Sequence, residues 1–338
     1  GSVRRVIVQD DLREAQIRPE SGFNTYIELL EKDFETFLTQ VDLVQIPGCP
    51  ACGHPDYQVD FRKMGIQYVE CLRCRSCYAS PRPKMEDLDR FYAESEAIGY
   101  WNSTIALDTA SARRQYIFGP RATWVIETSG IHQQDQGVLV DFYTKYPSYL
   151  EEIARRGSFS EILVRKPAVE MKGAFDSEVY TEVVEMDDAS VSVVSAFEVI
   201  ERLFDPLSFL EHVNRILRPG GLVFITTLSI SGFDLRLLRH RARNLLPPTH
   251  LTLLSYEGFH YLIQRSGFEL IELSTPGQLD VALVLDALER EPTIELPPVI
   301  DSILLRRGEP LHEAFQDYLQ RANLSSHVWV AAVKTSTH

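Results

Sequence analysis

Five cysteines fall between Cys49 and Cys77 and nowhere else in the 338 residues. Four of them form CPAC (49–52) and CLRC (71–74), two C-x2-C knuckles separated by 18 residues. Paired knuckles can bring four thiolates into the tetrahedron that Zn2+ accepts in closed sites. With every position filled by protein, such a metal has no open site to activate water, so its role is structural. Reduced, metal-free cysteines are the alternative. Cys77, three residues past Cys74, could compete as a ligand or be a spare buried thiol. Arg75 stands where such knuckles often carry glycine, which questions the second turn.

A second group of residues suits proton transfer or anion binding. Glu198 and Glu201 follow the β-rich run SVVSAF, and His250 lies in PPTHL. Each could act as a base toward an acceptor hydroxyl. Each also has a plainer reading, the carboxylates as caps or ion-pair partners and the histidine as a loop brace. RLLRHRARN (236–244) is a basic cluster in an acidic chain. Arg236, Arg239, Arg241 and Arg243 could hold the phosphates of an anionic small molecule, or form a solvated helix face. Asp108, Arg113, Arg114 and Arg121 are further polar candidates that the sequence alone does not place.

Composition limits the setting. A net charge of −14, from 34 Lys+Arg against 48 Asp+Glu, opposes sequence-independent adhesion to nucleic acid or anionic membranes. No apolar stretch approaches the ~20 residues that span a bilayer, and no signal peptide is read at the start. The expectation is a cytoplasmic protein, with its cysteines serving a metal rather than disulfides.

The elements that would position these residues follow from periodicity. A helix is expected over Ser21–Gln40, then the cysteine module, then a short amphipathic helix at MEDLDRFYAES and a helical bridge. From Gly137 onward, β-rich runs alternate with helical ones, as in a parallel sheet covered on both faces. Strands are predicted at 138–142, 161–164, 192–197, 222–227, 269–273 and 327–333, with a helix over 206–217 that RPGG stops. The domains read as a helical segment (1–44), zinc ribbon (45–83), helical linker (84–134) and α/β domain (135–338), the last with a helical insertion at 276–326.

Several motifs occur together: CPAC and CLRC, PRP (81–83), FEVIERLFDP (197–206), LRPGG (217–221), SGFD (231–234), PPTHL (247–251), SGFELIE (266–272), STPGQLD (274–280) and LSSHVWV (324–330). In this order the chain resembles the class I S-adenosylmethionine-dependent methyltransferases that carry an N-terminal zinc ribbon, often linked to modified-sugar and small-molecule pathways. The resemblance implies a Rossmann-like α/β fold with a mostly parallel seven-stranded sheet. It also implies that GVLVDFYTKYPSYLEEIARRG (137–157) is the cofactor-binding strand, turn and helix. Asp141 matches the acid of the family's D-x-G-x-G-x-G pattern, but its glycine positions fall on Tyr143, Lys145 and Pro147. Glycine serves there because the turn needs positive φ and close approach to the ligand. Lys166 occupies the position of the ribose-binding acid. Arg202 stands where the family tends to have histidine, and Leu228-Ser229 where it tends to have Pro-Asn.

The departures cluster on the cofactor half of the cleft. The expected function is a methyltransferase-like protein with an eroded S-adenosylmethionine site, acting as a binding or partner subunit beside an active methyltransferase or pathway enzyme. The alternative is an active methyltransferase working on a nucleotide-linked sugar or similar molecule, with Glu198, Glu201 or His250 as base. A different reaction on the same fold is a third possibility.

Overall fold

The computed structural model describes residues 12–143, 147–157, 159–166, 179–306 and 308–335. Helix α1 (Glu20–Leu38) buries Phe23, Tyr26, Leu30, Phe34 and Phe37, an apolar stripe at helical spacing. Its far end meets α2 (Met85–Glu94), where Phe91 packs edge-on against Phe34 and Phe37.

The cysteine module between them is a small antiparallel sheet of β1 (Tyr57–Lys63), β2 (Ile66–Cys71) and β3 (Cys77–Ala79). Its fourth strand comes from the distant segment β9 (Thr252–Leu253), which pairs with β3. The module is therefore built into the larger domain rather than tethered to it.

A helical stretch from Glu96 leads to α3 (Gly119–Ile131). Two of its turns widen to π geometry, at Trp101–Ile105 and Arg114–Phe118. Such turns redirect side chains and are frequent at functional sites.

The main sheet has seven strands: β4 (Val138–Phe142), β5 (Glu161–Arg165), β6 (Thr181–Val183), β7 (Val191–Phe197), β8 (Leu217–Leu228), β10 (Phe268–Ser274) and β11 (His327–Lys334). Their spatial order is β10-β11-β8-β7-β4-β5-β6. Strand β11 runs antiparallel to both neighbours, whereas the pairs from β8 to β6 are parallel. The central strands are buried on both faces, which explains their continuous Val, Ile and Leu runs. Six of the strands overlap the runs read from sequence. The short, exposed β6 has no counterpart among them, because three residues carry too little periodicity.

The helices on the faces are α4 (Pro147–Arg156), α5 (Pro206–Ile216), α6 (Phe233–Leu238) and α7 (Tyr256–Arg265), followed by α8 (Asp280–Arg290), α9 (Pro298–Leu305) and α10 (Glu309–Arg321) in the segment before β11. Helix α5 begins where the Asp205 side chain accepts from the amides of Leu207 and Ser208, with Pro206 in the first turn. After Ile216 the chain passes into β8, and its register against β7 jumps between Leu217 and Leu222, where Gly220 takes φ +74°.

Candidate functional site

Strand register assembles the site. Asp141 lies opposite Ser195, Phe197 opposite Thr226, and Leu228 opposite His327, so the ends of four neighbouring strands meet at one edge. That edge forms the floor of a cavity of about 250 Å3. Asp141, Phe197, Glu198, Thr227 and His327 line the floor, while Phe23, Tyr26 and Trp101 come from α1 and the first π turn. The Pro276–Asp280 loop, Thr249 and His250 complete the wall.

At the centre is a charged cluster. The Arg121 guanidinium of α3 donates to both Glu198 oxygens, at 2.9 and 2.6 Å, and sits over the Phe197 ring at 5.1 Å. Thr226 Oγ1 donates to Glu198 Oε1 at 2.9 Å, and His327 Nε2 lies 3.3 Å from the same oxygen. Burial pushes the Glu198 carboxyl up, but Arg121 and His327 outweigh it and hold the group well below the usual carboxylate range. Glu198 itself takes φ +52°, a left-handed backbone that is uncommon for a side-chain-bearing residue.

Glu201 differs. It is 1% exposed, and its Oε2 accepts from Thr227 Oγ1 at 2.8 Å. Burial pushes its carboxyl up to about 7, with the neighbouring Arg202 charge opposing the rise. The backbone oxygen of Glu201 accepts from the Leu251 amide at 2.7 Å, which ties it to the loop bearing His250. His250 Nδ1 accepts from the Leu246 amide at 3.1 Å, and its carbonyl accepts from the Tyr68 hydroxyl at 2.6 Å. The three proton-transfer candidates therefore do line one cavity.

The cofactor candidates are placed as follows. Asp141 is buried and accepts from Ser195 Oγ at 2.5 Å. Tyr143 takes φ +60°, so a tyrosine does adopt the left-handed turn for which the sequence suggested glycine was required. Its ring packs near Phe142 and Phe209, with centroids 5.7 and 6.3 Å away. Lys145 lies outside the described residues. Lys166 forms a 2.5 Å ion pair with Glu182 of β6.

The basic run lies elsewhere. Arg236 meets Glu70 at 3.2 Å, Arg239 meets Asp60 at 2.7 Å, and Arg241 meets Glu291 at 3.1 Å. Arg243 bonds Asn24 and sits over the Phe23 ring at 5.1 Å. None of the four lines the cavity. Within the chain, these contacts fasten α6 and the segment after it to β1, β2, α1 and the end of α8. The sequence could not show this, because each partner lies far away along the chain.

The four knuckle cysteines do converge. Cys49 and Cys74 Sγ atoms are 3.5 Å apart, as are those of Cys52 and Cys71, and all four sulfurs lie within 4.8 Å of one another. A Zn–S bond of about 2.3 Å places sulfurs about 3.8 Å apart in a tetrahedron, so the donor set fits zinc. Gly53 at φ +74° and Arg75 at φ +63° occupy equivalent turns, and their amides donate to the carbonyls of Cys49 and Cys71 at 2.8 and 3.0 Å. The knuckles are thus alike despite Arg75, whose guanidinium pairs with Glu70 at 2.7 Å. Cys77 is buried outside the cluster.

A sheet in this order, with its one reversed strand and a cavity at the carboxyl ends of the parallel strands, is the Rossmann-like class I methyltransferase fold. The methyltransferase domain family matches residues 103–273, half of the chain, and the chain belongs to that family. A probable S-adenosylmethionine-dependent methyltransferase of Mycolicibacterium smegmatis is 35% identical over 86 residues, which cover 25% of this chain and 31% of that protein. The match thus spans about a third of that relative's length. Among solved structures, Haemonchus contortus phosphoethanolamine N-methyltransferase 2 is similar at TM-score 0.47 and 15% identity, over 77% of this chain and 63% of that one. The complex of the Haloferax volcanii Trm112 methyltransferase activator with a methyltransferase gives 0.41 and 17%, over 68% and 96%.

Sequence reasoning named Arg121 without placing it, treated Arg202 only as a departure, and missed His327. The signal for His327 lay in LSSHVWV, at the mouth of the last strand, where the reversed direction of β11 brings it to the floor beside Leu228.

Proposed function

We propose that this methyltransferase-fold protein has lost S-adenosylmethionine binding and uses the cavity at the sheet edge to bind a small molecule. The observation that carries the reading is Lys166, which offers no acceptor to ribose hydroxyls and is occupied by Glu182 at 2.5 Å. Tyr143 adds to it: a residue with a Cβ stands at a turn position where the family pattern has glycine. Glu198, ion-paired and held ionised, is a poor base. The cysteine cluster holds one structural Zn2+. The setting is modified-sugar or small-molecule biosynthesis, with a protein partner such as an active methyltransferase.

Glu201 favours a second reading, an active methyltransferase, because a buried carboxyl titrating near 7 suits general-base work. The two readings separate in a thermal-shift experiment with millimolar S-adenosylmethionine and S-adenosylhomocysteine. A ligand at one hundred times its dissociation constant stabilises by about 2.7 kcal/mol, so retained binding raises the melting temperature visibly. The first reading expects no shift. A clear shift, followed by methyl transfer lost in Glu201→Gln, supports the second.

A further inference from the structure

Four arginines line the cavity: Arg18, Arg113, Arg121 and Arg202. Three are engaged. Arg121 is held by Glu198, Arg18 meets Glu14 at 3.5 Å, and Arg113 donates to the Ile17 carbonyl at 2.6 Å and to Thr109 Oγ1 at 2.8 Å. Arg202 stands apart. Among the described residues its guanidinium has no ion-pair partner, and its buried Nε has no hydrogen-bond partner.

Its neighbour Glu201 feels the Arg202 charge but makes no direct ion pair with it, and that carboxyl accepts instead from Thr227 at 2.8 Å. A guanidinium is always charged and presents Nε–H and Nη–H as a fork matched to two oxygens of a carboxylate or phosphate. Leaving such a donor unsatisfied in a partly desolvated wall is costly, and an oxyanion relieves that cost. The cavity also has an apolar side, where the rings of Phe23, Tyr26 and Trp101 form a cluster with centroids 4.9 to 6.4 Å apart. Its volume of about 250 Å3 suits a small molecule.

We propose that Arg202 anchors the anionic head, carboxylate or phosphate monoester, of a small organic ligand whose apolar body rests on Phe23, Tyr26 and Trp101. This rests on the reading of the cavity as a binding site, and it moves the expected anion contact from the 236–243 arginines to a residue after β7.

Calorimetric titration of the full, zinc-loaded chain with phenylacetate, phenyl phosphate and neutral phenylacetamide tests it. Wild type should bind at least one of the anions, and whichever is tighter identifies the head group. Phenylacetamide should bind at least about tenfold more weakly than that anion, and Arg202→Gln should weaken the anion by about tenfold or more, as losing a charge-assisted hydrogen bond does. Arg202→Lys keeps the charge without the fork and should fall between, so the anchor is still read if the glutamine variant fails to fold. Equal affinity in Arg202→Gln, equal binding of amide and anion, or no binding of either anion by wild type would overturn the proposal. S-Adenosylmethionine titration is independent of these arms: binding there sinks the loss-of-cofactor reading and leaves the Arg202 result standing.

Discussion

Arg121 holds Glu198 by both carboxylate oxygens, at 2.9 and 2.6 Å, across 77 residues of chain. The pair joins α3 to the end of β7, and it engages one of the acidic residues that line the cavity. Removing the cation alone leaves a partly desolvated carboxylate. Arg121→Met should therefore cost about 2–4 kcal/mol, somewhat below a fully buried pair because 37% of the Glu198 side chain is open to the cavity. Adding Glu198→Leu should recover most of the loss. Urea unfolding of the single and double variants checks this, and additive losses would contradict it.

Stability near neutral pH should be limited by buried acids. Burial raises the Glu201 carboxyl from 4.5 to about 7, and burial together with the nearby Asp280 charge raises Asp234 from 3.8 to about 8. Their folded forms bind protons more tightly than the unfolded chain does, so this stabilisation is complete below pH ~4 and declines as pH rises toward 7 and 8. Glu201→Gln removes the penalty and should stabilise the protein by about 1–3 kcal/mol at pH 8, with little gain at pH 5. Denaturant melts at the two pH values read the difference. An equal effect at both would rule out titration as its cause.

The metal should control the cavity wall. The Ala79 amide of β3 donates to the Leu251 carbonyl at 2.8 Å, the Leu251 amide to Glu201, and Tyr68 of β2 to the His250 carbonyl. Gly258 packs so closely that an added Cβ would lie 2.1 Å from Ser76 Oγ, two residues past the second knuckle. One Zn2+ per chain is expected by elemental analysis, unchanged in Cys77→Ala and lost in Cys71→Ser. Chelation should speed amide exchange across 246–258. Protection there that is indifferent to chelation would detach the ribbon from the site.

Much of this architecture could be read from residues close together in the chain. Val138–Phe142 matches the predicted first strand of the α/β domain residue for residue, since its apolar run ends at an acid and a helix follows. The cysteine knuckles were legible because short spacing fixes ligand geometry. What stayed hidden was pairing over distance. Arg236, Arg239 and Arg241 looked like an anion grip because their partners Glu70, Asp60 and Glu291 lie 50 or more residues away. Tyr143 looked incompatible with a left-handed turn, whereas it takes φ +60°. Arg202 announced nothing by its spacing. Only the cavity around it shows a guanidinium that, among the described residues, has no ion-pair partner and a buried Nε without a hydrogen bond.

The loss of cofactor binding is tested most directly by isothermal calorimetry with S-adenosylmethionine on the zinc-loaded protein and on a variant carrying Tyr143→Gly, Lys145→Gly, Pro147→Gly and Lys166→Glu. Glycine reopens the turn, and the carboxylate restores an acceptor for the ribose hydroxyls. The unmodified chain should release no binding heat, and the variant should acquire measurable affinity. Micromolar binding by the unmodified chain would contradict the account.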